Sequence, residues 1–242
     1  MILGIILAMV FSVELKKNPE QVIATAATPT PQQLKTIETG RQKFAYGTIE
    51  TRKMNISLIA NYEKKLSSEE LMKEYSCTWG INGGFYGQDN QPLGWIVSSG
   101  KTLSKKRDSE LFNGFLSVRG GDYRIEKDVI EDAENGMQSG PILWWQKNEQ
   151  TLSIRDDKQA RRSVALIDAQ NNLIFLVIYD PDSTLDGPKL AELPRALTQI
   201  AKVEEWEIEK AINLDGGTAS AFHSPTLNLS EWQSVGNWWC VK

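Results

Sequence analysis

Ala211-Ile212-Asn213-Leu214-Asp215-Gly216-Gly217-Thr218-Ala219-Ser220 sets how the rest of the chain is read. A short apolar run ends in an acid, then two glycines, then small hydroxylated residues. That order predicts a buried strand delivering a carboxylate to a sheet edge. The glycines let the backbone turn with φ > 0 and approach a ligand closely. Ile81-Asn82-Gly83-Gly84-Phe85-Tyr86 has the same form, with an amide in place of the acid. Taken singly, each stretch also fits a tight hairpin turn, because Asn-Gly and Asp-Gly between apolar runs are strong turn signals.

Upstream of Ala211, Leu190, Leu193, Leu197, Ile200 and Ala201 recur at helical spacing, with Pro194 tolerable only near the first turn. That helix leads through Trp206 and Ile208 into the strand. Residues 163–168 and 173–179 read as two strands joined by a hairpin at Asn171-Asn172. The second, LIFLVIY, is apolar on both faces and belongs in the middle of a covered sheet. Ser67 stands three residues before Glu70, the spacing of a capping box, so a short helix is predicted from there to about Tyr75. Residues 44–61 read as two strands. Short strands are also expected at 77–81, 94–97, 115–118, 142–143 and 234–241. Many strands with two or three helices predict a mixed α+β (α/β) class: one domain with a central mixed, mostly antiparallel β-sheet flanked by a few helices.

Composition sets outer limits. Of 242 residues, 40% are hydrophobic and 24% charged, ordinary for a globular protein with a sizeable core. The net charge of −4 comes from 27 basic and 31 acidic residues with no long run of one sign, which argues against nucleic acid as a partner. Eight tryptophans are many; core and rim packing accounts for most of them, with sugar platforms as the other reading. Residues 1–13 are almost entirely apolar, short of the roughly 20 needed to span a bilayer and close to a signal-peptide core. Residues 1–17 are therefore expected to be a signal or membrane anchor, residues 18–37 a flexible Thr/Pro-rich linker, and residues 38–242 the folded domain. The expected location is exported: periplasmic, extracellular, or attached to a membrane through the apolar segment. Cys77 and Cys240 either pair, as an exported protein allows, or are two separately buried thiols.

Four segments carry the chemistry: Asn82-Gly83-Gly84-Phe85-Tyr86, Ser139-Gly140-Pro141, Ala160-Arg161-Arg162-Ser163 and Asp215-Gly216-Gly217-Thr218-Ala219-Ser220. Each sits at the end of a predicted strand. If the ends converge, the pocket offers a carboxylate, an amide, guanidinium groups and backbone N–H groups of the kind that bind anions. Arginine adds bidentate recognition of a phosphate or carboxylate. The set suits a ligand that carries both hydroxyls and negative charge.

In this order the segments resemble the phosphodiester glycosidase family, the family of the lysosomal uncovering enzyme, over roughly residues 79–242. The resemblance implies hydrolysis of a sugar-1-phosphodiester, expected in an envelope or extracellular polysaccharide. It places Asn82, Gly83 and Gly84 in the first motif, Ser139 and Gly140 in the second, and Arg162 with Ser163 in the third. Asp215, Gly216, Gly217 and Ser220 match the fourth. Ala165 and Thr218-Ala219 depart from common family residues by small-for-small changes that leave the acid intact.

The chemistry is consistent with that reading. Cleaving a glycosyl–phosphate bond expels a phosphate monoester, whose second pKa is about 6, so little protonation is needed. Arginine stabilises the departing charge. A carboxylate remains necessary to stabilise an oxocarbenium-like centre, act as nucleophile or activate water. Asp215, Arg162 and Asn82 are the candidate catalytic residues. Gly83, Gly84, Tyr86, Ser139, Gly140, Gly216, Gly217 and Ser220 are candidates for substrate binding. Asp180 is either a second carboxylate or a turn residue, and His223 either an acid/base or a structural histidine. No cofactor and no metal are expected, since no His/Cys cluster is present and residues 180–186 lack most of a calcium loop. Two rivals stand beside this: a non-catalytic surface protein holding an anionic glycan, and a hydrolase using Ser220 or Ser139 with His223. The latter lacks a Gly-x-Ser-x-Gly elbow.

Overall fold

The computed structural model describes residues 34–52 and 54–242. The expected signal or anchor at 1–17 and most of the expected linker lie outside the described residues. The elements begin with β1 (Thr36–Thr39), β2 (Gln42–Glu50), β3 (Ile56–Ala60), α1 (Ser68–Glu74), β4 (Trp79–Asn82), β5 (Ile96–Ser98), β6 (Lys101–Ser104), β7 (Gly114–Arg119) and β8 (Asp122–Glu126). They continue with β9 (Asn135–Ser139), β10 (Ile142–Trp145), β11 (Asn148–Glu149), β12 (Arg162–Asp168), β13 (Leu173–Tyr179), α2 (Leu193–Glu204), β14 (Ile208–Asn213), β15 (Phe222–His223), β16 (Asn228–Leu229) and β17 (Asn237–Val241).

The described residues are more strongly β than the mixed class expected and form three sheets rather than one. A seven-stranded sheet runs β1-β2-β13-β12-β14-β10-β11, and two five-stranded sheets run β16-β15-β4-β17-β3 and β6-β5-β9-β7-β8. Every pairing between these strands is antiparallel. The reason lies in the connections. Tight turns such as Gly120-Gly121 and Asn171-Asn172 return the chain at once, whereas parallel pairing needs a long crossover.

β13 shows how the layers are glued. Leu173, Phe175, Val177 and Tyr179 enter a core that also takes Leu58, Ile81, Leu116, Ile125, Met137 and Trp239, so all three sheets share it. Ile174, Leu176 and Ile178 point the other way, into a second core closed by Leu193, Ala196, Leu197 and Ile200 of α2. This is the period-2 alternation of a strand covered on both faces, as its apolar sequence requires. Each such fully buried aliphatic side chain contributes about 1.5–3 kcal/mol. Pro194 sits in the first turn of α2, and Glu205 ends it in the left-handed region.

α1 begins as the sequence predicts. Ser67 accepts from the backbone N–H of Glu70 while the Glu70 carboxylate accepts from the Ser67 N–H at 2.7 Å. Leu71 then packs under the outer face of the β4–β17 sheet with Trp238 and Cys240. There Cys77 and Cys240 form a disulfide across 163 residues of sequence, deciding between the two thiol readings. The bond ties the segment after α1 to β17, the strand whose first residue, Asn237, reaches the site described next.

Candidate active site

The C-terminal ends of β4, β9 and β14 and the N-terminal ends of β12 and β17 meet at one edge of the molecule. Val164 pairs with Asn213 and Trp238 with Asn82, which brings these ends level. The Asn-Gly-Gly and Asp-Gly-Gly segments lie side by side and hydrogen-bond directly. The Asp215 N–H donates to the Gly83 carbonyl at 2.9 Å, and the Asn82 amide donates to the Asp215 carbonyl at 2.6 Å. Neither segment is a hairpin turn.

Asp215 lies half-buried in a cleft of about 550 Å³ lined by Tyr86, Gln88, Asn90, Gly216, Thr218 and Gln233, among others. Of the residues lining it, Asp215 is the only carboxylate. Loss of hydration pushes its carboxyl up to about 7, opposed by the Gly216 N–H, which donates to Oδ1 at 2.9 Å. Oδ2 accepts no hydrogen bond from the described residues. The next residue, Gly217, has φ of 63° and donates its N–H to the Arg161 carbonyl at 2.8 Å, so the turn needs glycine.

Asn82 is 1% exposed and spends its whole side chain inside the protein. Its Oδ1 accepts from Ser163 Oγ at 2.7 Å and from the Ala221 N–H at 3.0 Å, while Nδ2 holds Asp215. Ser220 Oγ continues the network to Ser163 Oγ at 2.8 Å. Asn82 and Ser220 therefore position Asp215 and do not reach the cleft. Gly83 and Gly84 lie against Asn237. The Gly84 N–H donates to Asn237 Oδ1 at 2.9 Å, and a Cβ on Gly83 would stand 1.8 Å from that same oxygen.

The two arginines differ. Arg161 is 1% exposed and ties distant carbonyls together: Nη1 donates to Thr184 at 3.1 Å, and Nη2 to Ser230 at 2.7 Å and also to Ser220. Burial lowers its pKa to about 10, which leaves it cationic at neutral pH. Arg162 donates Nε to the Pro188 carbonyl at 2.9 Å and Nη2 to the Lys158 carbonyl at 2.6 Å, with Asp157 at 3.5 Å. Its Nη1 keeps no acceptor among the described residues and lies 3.7 Å from where a Cβ on Gly216 would be. One N–H edge of a half-buried cation thus lies against the backbone beside Asp215, though Arg162 itself does not line the cleft.

Other candidates fall elsewhere. Ser139 Oγ donates to the Asn213 carbonyl at 2.8 Å and the Gly140 N–H donates to the same carbonyl at 3.0 Å, so the pair buttresses β14 from behind. Asp180 does not face the cleft; its Oδ1 accepts the Asp182 N–H at 2.9 Å and closes the turn after β13. His223 is buried against Ser68, Nε2 to Oγ 2.7 Å, and burial lowers its pKa. With His223 bound there and Ser220 bound to Ser163, no serine–histidine nucleophile forms from the candidate residues.

Asn237 and Tyr62, which the sequence reading passed over, complete the site beside Tyr86. Asn237 Nδ2 donates to Tyr62 Oη at 2.7 Å, and the Tyr86 hydroxyl donates to the Ser234 carbonyl at 2.6 Å. Burial, and after it the nearby Asp215 charge, raises the pKa of both phenols. Gly236 fits between the two rings. The signal was present as Gly236-Asn237, a glycine–amide pair at the start of β17.

The sequence profile of the phosphodiester glycosidase family matches residues 75–242. The chain belongs to the phosphodiester glycosidase family. Among solved structures, the fold is similar to the catalytic domain of zebrafish N-acetylglucosamine-1-phosphodiester alpha-N-acetylglucosaminidase, auto-inhibited by its pro-peptide. The TM-score is 0.62 at 17% identity, over 86% of this chain and 81% of that one. A hypothetical protein from Synechocystis matches at TM-score 0.57 and 14% identity, over 86% of this chain and 61% of that one. A Burkholderia pseudomallei K96243 protein described as exported matches at TM-score 0.52 and 11% identity, over 82% of this chain and 73% of that one. No curated protein sequence matches the chain. In this phosphodiester glycosidase domain the family's Asp-Gly-Gly stretch forms the floor of the cleft, and its Asn-Gly-Gly stretch holds that floor in place.

Proposed function

We propose that the protein is an exported hydrolase that cleaves the glycosidic bond of a sugar-1-phosphodiester in an envelope or extracellular polysaccharide. The observation that carries this reading is Asp215: a lone carboxylate in a polar cleft, fixed through its backbone by Asn82 and Gly83, with one oxygen unclaimed. Ionised, it faces the anomeric carbon and stabilises the positive charge that develops there, as nucleophile, electrostatic partner or base for water. The departing phosphate carries its own charge and needs a cation more than a proton, a role suited to the Arg162 edge beside Gly216. A second carboxylate, which ordinary glycosides require as a general acid, is dispensable for such a leaving group. Family membership supports the reaction class. Export is supported by the Cys77–Cys240 disulfide, a bond that persists in oxidising compartments, and by the apolar residues 1–13.

The test is release of free sugar from the methyl diester of N-acetylglucosamine-1-phosphate and from matching glucose and mannose diesters. Wild type is expected to turn over at least one, with Asp215→Asn slower by about a thousandfold or more, the scale of losing a principal charge-stabilising group. Full activity in Asp215→Asn would remove that residue from the reaction. Tight binding of the diesters without turnover by wild type would instead identify a glycan-holding surface protein.

A further inference from the structure

Trp232 is 78% exposed, more than any other large apolar side chain among the described residues. A large indole left in water is unusual, because its burial is strongly favourable. Here the backbone forbids that. The Thr218 carbonyl accepts the N–H groups of both Trp232 and Gln233, at 2.8 and 3.0 Å. Ser230 is held by Arg161 through its carbonyl at 2.7 Å. The Glu231 carboxylate accepts the Ser68 N–H at 2.7 Å and also the Ser68 hydroxyl. The Ser234 carbonyl accepts the Tyr86 hydroxyl at 2.6 Å. Each residue from Ser230 to Ser234 is fastened to another part of the chain, and the Trp232 side chain is left displayed. Groups that the proposed reaction does not use, buried Arg161, His223 and Ser68 with the Glu231 carboxylate, are spent on holding this segment.

The display is at the cleft. Thr218, Gln233 and Ser234 all line the space around Asp215, and Thr218 Oγ1 donates to Gln233 Oε1 at 3.0 Å. We infer that Trp232 is a sugar-stacking platform at the mouth of the cleft, receiving a pyranose unit of a glycan that extends beyond the sugar phosphate being cleaved. The inference rests on the hydrolase reading for the identity of that glycan. The chemistry matches a sugar better than a protein or lipid surface. One flat exposed apolar face in an otherwise polar segment, next in sequence to Gln233 of the cleft lining, fits the C–H face of a pyranose. A protein or membrane contact calls for a broader apolar patch.

Two arms test it. In the first, kcat and KM are measured for a sugar-1-phosphate methyl diester and for the same diester carrying a tetrasaccharide aglycone. Trp232→Ala is expected to leave the methyl diester unchanged and to lower kcat/KM for the extended one about tenfold through KM, with Trp232→Phe in between. Equal effects on both substrates, or none, would overturn the inference while leaving the hydrolase reading in place. The second arm needs no turnover: tetrasaccharides of N-acetylglucosamine, glucose and mannose are titrated against wild type and Trp232→Ala, following indole fluorescence and calorimetry. Trp232-dependent binding by a protein that cleaves no diester sustains the platform and removes the hydrolase. Where wild type cleaves no diester, absence of Trp232-dependent tetrasaccharide binding overturns the platform. An unchanged melting temperature for Trp232→Ala confirms that the comparison is between folded proteins.

Discussion

The Asn82 side chain holds the main chain of Asp215, Nδ2 to the carbonyl oxygen 2.6 Å, from a position wholly inside the protein. With Gly83 accepting the Asp215 N–H at 2.9 Å, the residue is gripped on both of its peptide units by one neighbouring loop. The acid cannot swing with its backbone, so its carboxyl stays in a desolvated cleft where its charge is useful and costly together.

Asn82→Ala is expected to lower stability by about 2–3 kcal/mol, since it strands the Ser163 hydroxyl, the Ala221 N–H and the Asp215 carbonyl in the interior. Urea denaturation reads this as a lower midpoint with unchanged slope. Asn82→Asp should be worse at neutral pH, because it buries a charge and faces the Asp215 carbonyl with an acceptor. If Asn82→Ala kept both stability and activity, the network would not be what positions Asp215.

The raised carboxyl pKa of Asp215 gives a signed pH dependence. The folded protein keeps that proton up to about 7, whereas an unfolded Asp releases it near about 4. Between those values the folded state holds more protons, so stability falls as pH rises through this window and levels off above it. Asp215→Asn removes the effect. Its melting temperature should match wild type near pH 4 and exceed it by a growing margin up to pH 7. Correspondingly, kcat/KM of wild type should rise with pH to a plateau with its midpoint near 7, because the ionised form is the working one. A profile that falls through this range would make Asp215 a proton donor instead.

How much of this was legible in the sequence follows from how local each cause is. The α1 capping box, the Asn171-Asn172 hairpin and the doubly covered β13 depend on neighbours within a few residues, and each appears in the structure as read. The division into three sheets does not. It depends on which hairpins stack, and Phe175 meeting Trp239 at 5.8 Å is invisible to periodicity. The site behaves likewise. Asp215 and Gly216 declare themselves by composition, but whether a polar residue faces ligand or scaffold depends on its partners. Asn82 and Arg161 look as exposed in sequence as Arg162 and prove to be internal ties. Tyr62 and Asn237 gave only a faint signal because their meeting spans 175 residues.

The arginine pair should separate by the same logic. Arg161→Ala strands carbonyls of Thr184, Ser220 and Ser230 and is expected to cost about 3–5 kcal/mol of stability. Arg162→Ala is expected to lower kcat/KM about a hundredfold, with a smaller stability loss, because its Nη1, unpaired among the described residues, lies against Gly216, the residue next to Asp215. Arg162→Lys should not rescue it, since an ammonium cannot hold Pro188 and Lys158 while presenting a third N–H edge. Paired denaturation and rate measurements check this, and the reverse pattern would exchange the roles.

The disulfide provides the last test. Cys77 and Cys240 close a loop of 163 residues, long enough that in the chain-entropy account the bond contributes about 5 kcal/mol. For a folded unit of this size that corresponds to roughly 10–20 °C in melting temperature. Replacing both by serine should therefore lower the midpoint by about that much, and treating wild type with reductant should do the same. The effect should also reach the cleft. β17 carries Cys240 near one end and Asn237 at the other, and Asn237 fixes both Gly84 and Tyr62. Looser anchoring of that strand should weaken catalysis at temperatures well below unfolding, seen as a fall in kcat at constant KM. If the double variant keeps wild-type kcat up to its own melting temperature, the staple serves stability alone and Asn237 is held in register by its β3 and β4 pairings without it.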